Sequence, residues 1–356
     1  MYPRININLN KLKHNIDTLH ERLSFLDEIY IITKSFCAYP PVVNSIVSWG
    51  YSKFGDSRVQ NLQSIKENHP EVQTLLVRIP MLCEIEQVIK YANRSLNSEL
   101  VTIQALNEEA IKQGKVHEII LMIDLGDLRE GIMYDSDYLA FVGEIINLPN
   151  IKLVGVGTNL TCYGGVIPSV EQLQLLVDIK EAIEKEYNVT LEVVSGGNSS
   201  SLELALDGGL PKGITNLRIG DAFISGMETA NGYIVQGLEQ NIFTLEAQVI
   251  EAKDKPSLPI GNIGVNAFGE KVEFEDVGIH RRLIMGIGRQ DVSADDLYRP
   301  NERVKLLGTS SDHMLLEAKD KNIKVGDILE FNMDYGGILS LMTSPYVYKN
   351  IIEVTK

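Results

Sequence analysis

IITKSFCAYP, residues 31–40, ends a run that begins at Glu28 as EIYIIT and puts a lysine, Lys34, directly behind it. Glu28–Thr33 is short, rich in β-branched and aromatic residues, and bounded by polar sequence. That is the pattern of a strand buried on both faces in a parallel sheet. A lysine where such a strand stops is unusual. Its ammonium must find a partner or give up its proton, and a neutral amine attacks carbonyls. The plain alternative is a strand-end lysine whose amine reaches solvent.

Outward from this stretch the chain alternates strand-like and helix-like runs. Ile5–Asn10 reads as a first short strand. Lys11–Leu26 carries Leu12, Ile16, Leu19 and Leu23 at helical spacing. Further strands are expected at Lys53–Gly55, Thr74–Arg78, Leu100–Ile103, Glu118–Asp124, Lys152–Gly157, Leu191–Val194 and Asn216–Ile219. Helices are expected at Ser57–Glu67 and Ser169–Glu186. Both open with Ser-x-x-Gln, the reciprocal capping pattern. With the Lys34 strand that makes eight strand–helix or strand–turn units, which favours a closed (β/α)8 barrel over an open doubly wound sheet. Lys34, Asp56, Arg78, Thr102, Arg129, Asn159, Ser195–Ser200 and Arg218–Asp221 then fall at or just past strand ends, on the rim where barrel chemistry sits. From about Asn231 the helices stop. Glu246–Ala252, Arg282–Gly286, Arg303–Leu307, Met314–Ala318, Ile328–Asn332 and Ile351–Val354 are short strand-like runs between turns, as in a separate all-β domain. The expected division is 9–230 and 231–356, with residues 1–8 adding a strand to the second domain.

The chain has 356 residues, 44% of them hydrophobic and 23% charged, as in an ordinary globular protein. A net charge of −15 argues against nucleic acid and against an anionic membrane surface. No apolar run reaches the length of a signal peptide core or a bilayer span. Three cysteines, Cys37, Cys83 and Cys162, suit a reduced cytoplasm without disulfides. The histidines are scattered without a metal-ligand spacing, so no metal is expected.

The run SGGNSSSLEL (195–204) is a glycine- and serine-rich turn entering a helix, where free amides and hydroxyls suit a phosphate. Arg218-Ile219-Gly220-Asp221, after the eighth strand, offers a second half of such a cradle. A phosphate cradle opposite a nucleophilic lysine points to pyridoxal phosphate, the usual cellular aldehyde for such an amine. An arginine facing the pyridine nitrogen gives up no proton and leaves that nitrogen unprotonated, and Arg218 could serve so. Its plain reading is a rim ion pair with Asp221. Arg129, in MIDLGDLREGI (122–132), could hold a substrate carboxylate in a two-point fork, or pair with Asp127 or Glu130. Cys37 and Cys162 would suit a cofactor-free two-thiol racemase, a reading that leaves the phosphate cradle unused.

ITKSFCAYP, FGDSRVQNL, LVRIPML, MIDLGDLREGI, GVGTNLTCYGG, SGGNSSSL, NLRIGDA, GIGRQDV, GTSSDH and DYGGILSLMTSPYV together resemble the alanine-racemase-like (fold-type III) enzymes of pyridoxal phosphate, over nearly the whole chain. The resemblance implies a cofactor-binding barrel, a C-terminal β domain and a homodimer with active sites at the subunit interface. It puts Lys34 at the cofactor-binding lysine and Arg218 at the pyridine-facing arginine. Ser199, Gly220, Asp221 and Tyr346 fall at phosphate contacts, Asn159 at a ring contact and Arg129 beside the substrate carboxylate. One departure stands out. Where alanine racemases carry a catalytic tyrosine in Gly-Tyr-Ala-Asp, this chain reads Gly288-Arg289-Gln290-Asp291. Arg289 holds its proton and suits a carboxylate better than proton transfer. The remaining candidates for the second base are His313, then Asp291, while Asp312 matches a partner-domain aspartate that can bind the substrate ammonium. The expected activity is racemisation of a free amino acid. A cationic one, ornithine ahead of lysine, suits an acidic chain with rim carboxylates better than alanine or serine. A decarboxylase or aldolase of the same fold is the alternative.

Overall fold

The computed structural model describes residues 1–298 and 303–352. It divides the chain into two compact units, residues 11–240 and residues 1–10 with 241–356. Strand β1 (Arg4–Asn8) belongs to the second unit, and helix α1 (Leu9–Arg22) leads into the first.

In the first unit the strands are β2 (Glu28–Ile32), β3 (Lys53–Asp56), β4 (Gln73–Leu76), β5 (Arg94–Asn97), β6 (His117–Asp124), β7 (Ile132–Met133), β8 (Ile151–Gly157), β9 (Val193–Ser195) and β10 (Asn216–Ile219). Among the described residues all of these except β7 form a parallel ring of eight, closed by the β10–β2 and β5–β6 pairings. The helices are α2 (Pro40–Ser48), α3 (Val59–Asn68), α4 (Ile85–Tyr91), α5 (Leu100–Gln113), α6 (Tyr138–Ile145), α7 (Val170–Tyr187), α8 (Leu202–Leu206) and α9 (Asp221–Ser225). Residues two apart on a strand share a face, and Tyr30 with Ile32, and Ile120 with Met122, meet Leu75, Leu96, Val154 and Val193 in one buried cluster.

Two local expectations fail. LVTI at 100–103 is helix, and the fifth strand is the polar RSLN of Arg94–Asn97. The four residues look like a strand alone. Over the longer run Thr102, Ile103, Leu106, Asn107 and Ala110 are buried along one helical face. Thr102 therefore lies on α5, away from the strand ends. At α3 the cap is Arg58, with no side-chain cap bond, because the expected Ser57–Gln60 pairing begins one residue too early. The Ser169–Gln172 box forms in both directions, each hydrogen bond 3.2 Å long.

At the strands' N-terminal ends Arg94 bridges Glu28 (2.8 Å) and Glu118, and Lys53 donates to Glu28 (2.8 Å). His117 opens β6, fully buried, with Nε2 2.8 Å from Ser95 Oγ. Burial, aided by the charge of Lys115, pushes its imidazole down to about 4 from 6.5. The folded state thus holds His117 neutral where the unfolded chain takes a proton. Its contribution to stability is complete above pH 6.5 and is lost as the pH falls toward 4, roughly 3 kcal/mol in all. Urea unfolding at pH 7, 5.5 and 4.5 should show a steeper acid decline for the parent than for His117→Gln. Equal slopes would remove His117 from the account.

In the second unit β11 (Phe243–Pro256), β12 (Ile279–Met285), β13 (Leu297–Tyr298), β14 (Val304–Thr309), β15 (Met314–Ala318), β16 (Ile328–Met333) and β17 (Tyr348–Ile352) join β1 in one sheet. The order is β13-β16-β11-β12-β15-β14, with β1 between β11 and β17. The pairing of β1 with β17 is parallel and the others are antiparallel. Helix α10 (Tyr335–Thr343), absent from the strand reading, is capped by Asp334, which accepts from Gly337 N at 3.1 Å. Of the strand expected at Ile351–Val354, residues 353 and 354 lie outside the described residues.

Candidate active site

Lys34 opens a 3₁₀ turn (Lys34–Phe36) two residues past β2 and is half-buried. The strand expected to run through Thr33 ends one residue earlier, at Ile32, so Thr33 lies between β2 and the lysine. That residue anchors the lysine. Its amide donates to Gly55 O (2.9 Å) and its Oγ1 to Asp56 Oδ2 (2.6 Å). Asp56 Oδ1 accepts from Arg58 N (2.8 Å) and Asn61 Nδ2 (3.0 Å). Burial raises the Asp56 carboxyl, opposed by these bonds and by the charge of Lys34. Asp56 was placed on the rim by sequence without a role. Here it is the buried carboxyl that fixes the turn carrying Lys34.

On β10, the strand paired with β2, Arg218 is fully buried. Its Nη1 donates to Ser195 Oγ, which in turn donates to Asn216 Oδ1, and its Nη2 donates to Thr158 O at 2.7 Å. Burial pushes the guanidinium down to about 10, opposed by the charge of Glu130 and reinforced by that of Arg129. No ion pair between Arg218 and Asp221 is found among the described residues. The arginine's contacts are with neighbouring strands, because its position inside β10, in register with the inward Tyr30, turns it toward the barrel interior.

The SGGNSSS turn places Ser199 Oγ 3.3 Å from Gly220 N and 3.4 Å from Ala222 N, so the two predicted halves of the cradle meet there. Gly197 holds φ +108°, which a side chain would strain. Asn198, which sequence reading passed over, organises this corner. Its Oδ1 caps Ser200 N (2.8 Å), and its Nδ2 reaches Asn159 Oδ1 (2.9 Å) and Cys162 Sγ (3.4 Å). An asparagine three residues after the strand end, before a run of serines, was the available signal. Asn159 Nδ2, Ser35 Oγ and Thr158 Oγ1 are buried and find no hydrogen-bond partner among the described residues. Unmatched polar atoms beside strand ends fit a bound polar ligand. Arg129, by contrast, is held by Glu130, Nη2 to Oε1 at 2.6 Å. No group of three or more His, Cys, Asp or Glu residues suited to a metal is found among the described residues.

The second unit brings its own candidates together. Gly288 packs so tightly on Ser311–His313 that a Cβ there would lie 2.4 Å from Ser311 O. Arg289 N donates to Ser310 O (2.8 Å) and Gln290 N to Ser311 O (3.0 Å), which sets Arg289 and Asp291 beside Asp312 and His313. Asp312 and His313 are exposed, and His313 Nδ1 lies 3.5 Å from Ser310 Oγ. Asp291 is half-buried and accepts from Ser344 Oγ (2.6 Å), whose oxygen accepts from Tyr346 N (3.1 Å), leaving the Tyr346 ring exposed. Arg289 donates to Glu270 (2.9 Å) and lies 4.2 Å over the Phe268 ring.

Comparison with known proteins shows the family of the chain. The family described as alanine racemase, N-terminal domain, matches residues 7–225. Ornithine racemase of Acetoanaerobium sticklandii is 46% identical over 99% of this chain and 100% of its own length. Lysine racemase of Thermotoga maritima is 38% identical over 98% of both chains. Among solved structures, alanine racemase of Clostridium difficile shares the fold with TM-score 0.75 at 17% identity, covering 98% of this chain and 95% of its own.

Proposed function

Because this chain belongs to the alanine racemase family, we propose that it interconverts L- and D-ornithine with pyridoxal phosphate as cofactor. The observation that carries the reading is 46% identity to an ornithine racemase across 99% of the chain. Lysine is the second substrate, on the strength of the lysine racemase at 38% identity.

The unmatched polar atoms around Asn159 and the Ser199–Gly220 corner suit a phosphorylated pyridine ring. Lys34 would hold it covalently, with Ser199, Gly220, Asp221 and Tyr346 at its phosphate, Asn159 at its ring and Arg218 at its nitrogen. When bound, the cofactor withdraws electrons and makes the substrate α-proton acidic. Arg218, still protonated at neutral pH, gives the ring nitrogen no proton, which favours racemisation over transamination. Arg129 orients the α-carboxylate. Lys34 Nζ exchanges a proton with the α-carbon on one face. On the other face the exchange falls to His313, with Asp291 next, and Arg289 and Asp312 assist at substrate charges. These last residues would come from the second chain of a homodimer. The protein is proposed to act in the cytoplasm.

Chiral chromatography after incubation with L-ornithine, lysine, arginine, alanine and serine tests the reading. Ornithine should racemise with the highest kcat/KM and lysine next. Alanine turned over as efficiently as ornithine would overturn the substrate, and an amine or aldehyde product would overturn the reaction.

A further inference from the structure

Arg129 and Glu130 are neighbours in sequence that grip each other through two points, Nη2 to Oε1 and Nε to Oε2. Their loop has little freedom. Asp124 Oδ1 accepts from Gly126 N (2.8 Å) and Leu128 N (3.1 Å). Asp127 is buried and accepts from Tyr163 N (3.0 Å), Gly164 N (3.1 Å) and Val166 N (3.3 Å) on the loop after β8. Gly131 holds φ +130°, and a Cβ there would lie 2.5 Å from Asp124 N. Ile132–Met133 then pairs with the end of β6. The pair is thus pinned at a strand's C-terminal end, with the Glu130 side chain 17% exposed and that of Arg129 36%. It is close enough to buried Arg218 for both charges to act on it.

The consequence for substrate choice follows from charge, given the racemase reading on which it rests. An incoming α-carboxylate competes with Glu130 for one guanidinium fork. An amino acid with a neutral side chain would strip Glu130 of its partner and leave a half-buried carboxylate unpaired, which is unfavourable. A diamino acid brings a replacement cation. We propose that Glu130 determines specificity by an exchange of partners. It releases Arg129 to the substrate α-carboxylate and accepts the distal ammonium, so two ion pairs stand where one was broken.

L-norvaline, which has the carbon skeleton of ornithine without the distal amine, isolates the effect. In Glu130→Gln holoenzyme, kcat/KM for ornithine should fall about 10- to 100-fold, mostly through KM, as a charge-assisted hydrogen bond is lost. That for norvaline should rise, because Arg129 no longer has a competing carboxylate. Glu130→Asp should recover part of the ornithine preference. Calorimetric titration of both amino acids should give the same split in Kd, which covers the case of slow norvaline turnover. An ornithine-to-norvaline ratio within about twofold of the parent's, whether both substrates fall together or neither changes, overturns the proposal while the racemase reading stands. A parent that does not racemise ornithine overturns both.

Discussion

Lys34→Ala should lose racemisation by about 10³-fold or more, the combined effect of removing the group that binds the cofactor covalently and one of two proton carriers. Lys34 is half-buried and opens a 3₁₀ turn. The Thr33 amide and hydroxyl anchor the turn, and truncation of the lysine leaves both of those bonds in place. The melting temperature should therefore stay close to the parent's while activity disappears. Borohydride treatment of the parent, followed by peptide mapping, should find the cofactor on the peptide containing Lys34 and nothing comparable in the variant. Labelling of another lysine, or retention of a tenth of the parent activity, would refute the assignment.

Arg218→Met should lower racemisation about 10²-fold with little change in stability. Two opposing terms set the stability. A guanidinium pushed by burial from 12.5 down to about 10 is held at a cost of roughly 3 kcal/mol. Removing it relieves that cost but takes a donor from Ser195 Oγ and Thr158 O, at about 1–3 kcal/mol for each buried acceptor. These nearly offset, and the expected change is within about 2 kcal/mol of the parent. An ordinary structural arginine would behave the other way, with stability lost first. Urea unfolding and the chiral assay on one preparation decide the matter. A collapse in stability with activity retained per folded molecule would make Arg218 a scaffold residue.

A good part of the fold and of the candidate site could be read from the sequence. The barrel was legible because its signals are local. EIYII, HEIILMID and NLRI are apolar runs of strand length, and α7 announces both its cap at Ser169 and its buried stripe. A run of alternating strands and helices of that number has few ways to bury its faces. Position at or just past an expected strand end likewise pointed to Lys34, Arg129, Asn159, Ser199 and Arg218 without reference to any partner. Tertiary structure alone decided what depends on distant neighbours. LVTI could be strand or helix until the burial along α5 and the ladder between RSLN and β6 chose. Asp56 is an anchor only because Thr33, Arg58 and Asn61 reach it, and Asn198 matters only because Asn159 comes within 2.9 Å. Arg289 could be aligned with a missing tyrosine, yet the packing of its turn on Ser311–His313 needed a contact between separate strands. Periodicity and capping act within a few residues, so composition and spacing record them. Burial and partner choice are set by segments that meet only when the sheet closes.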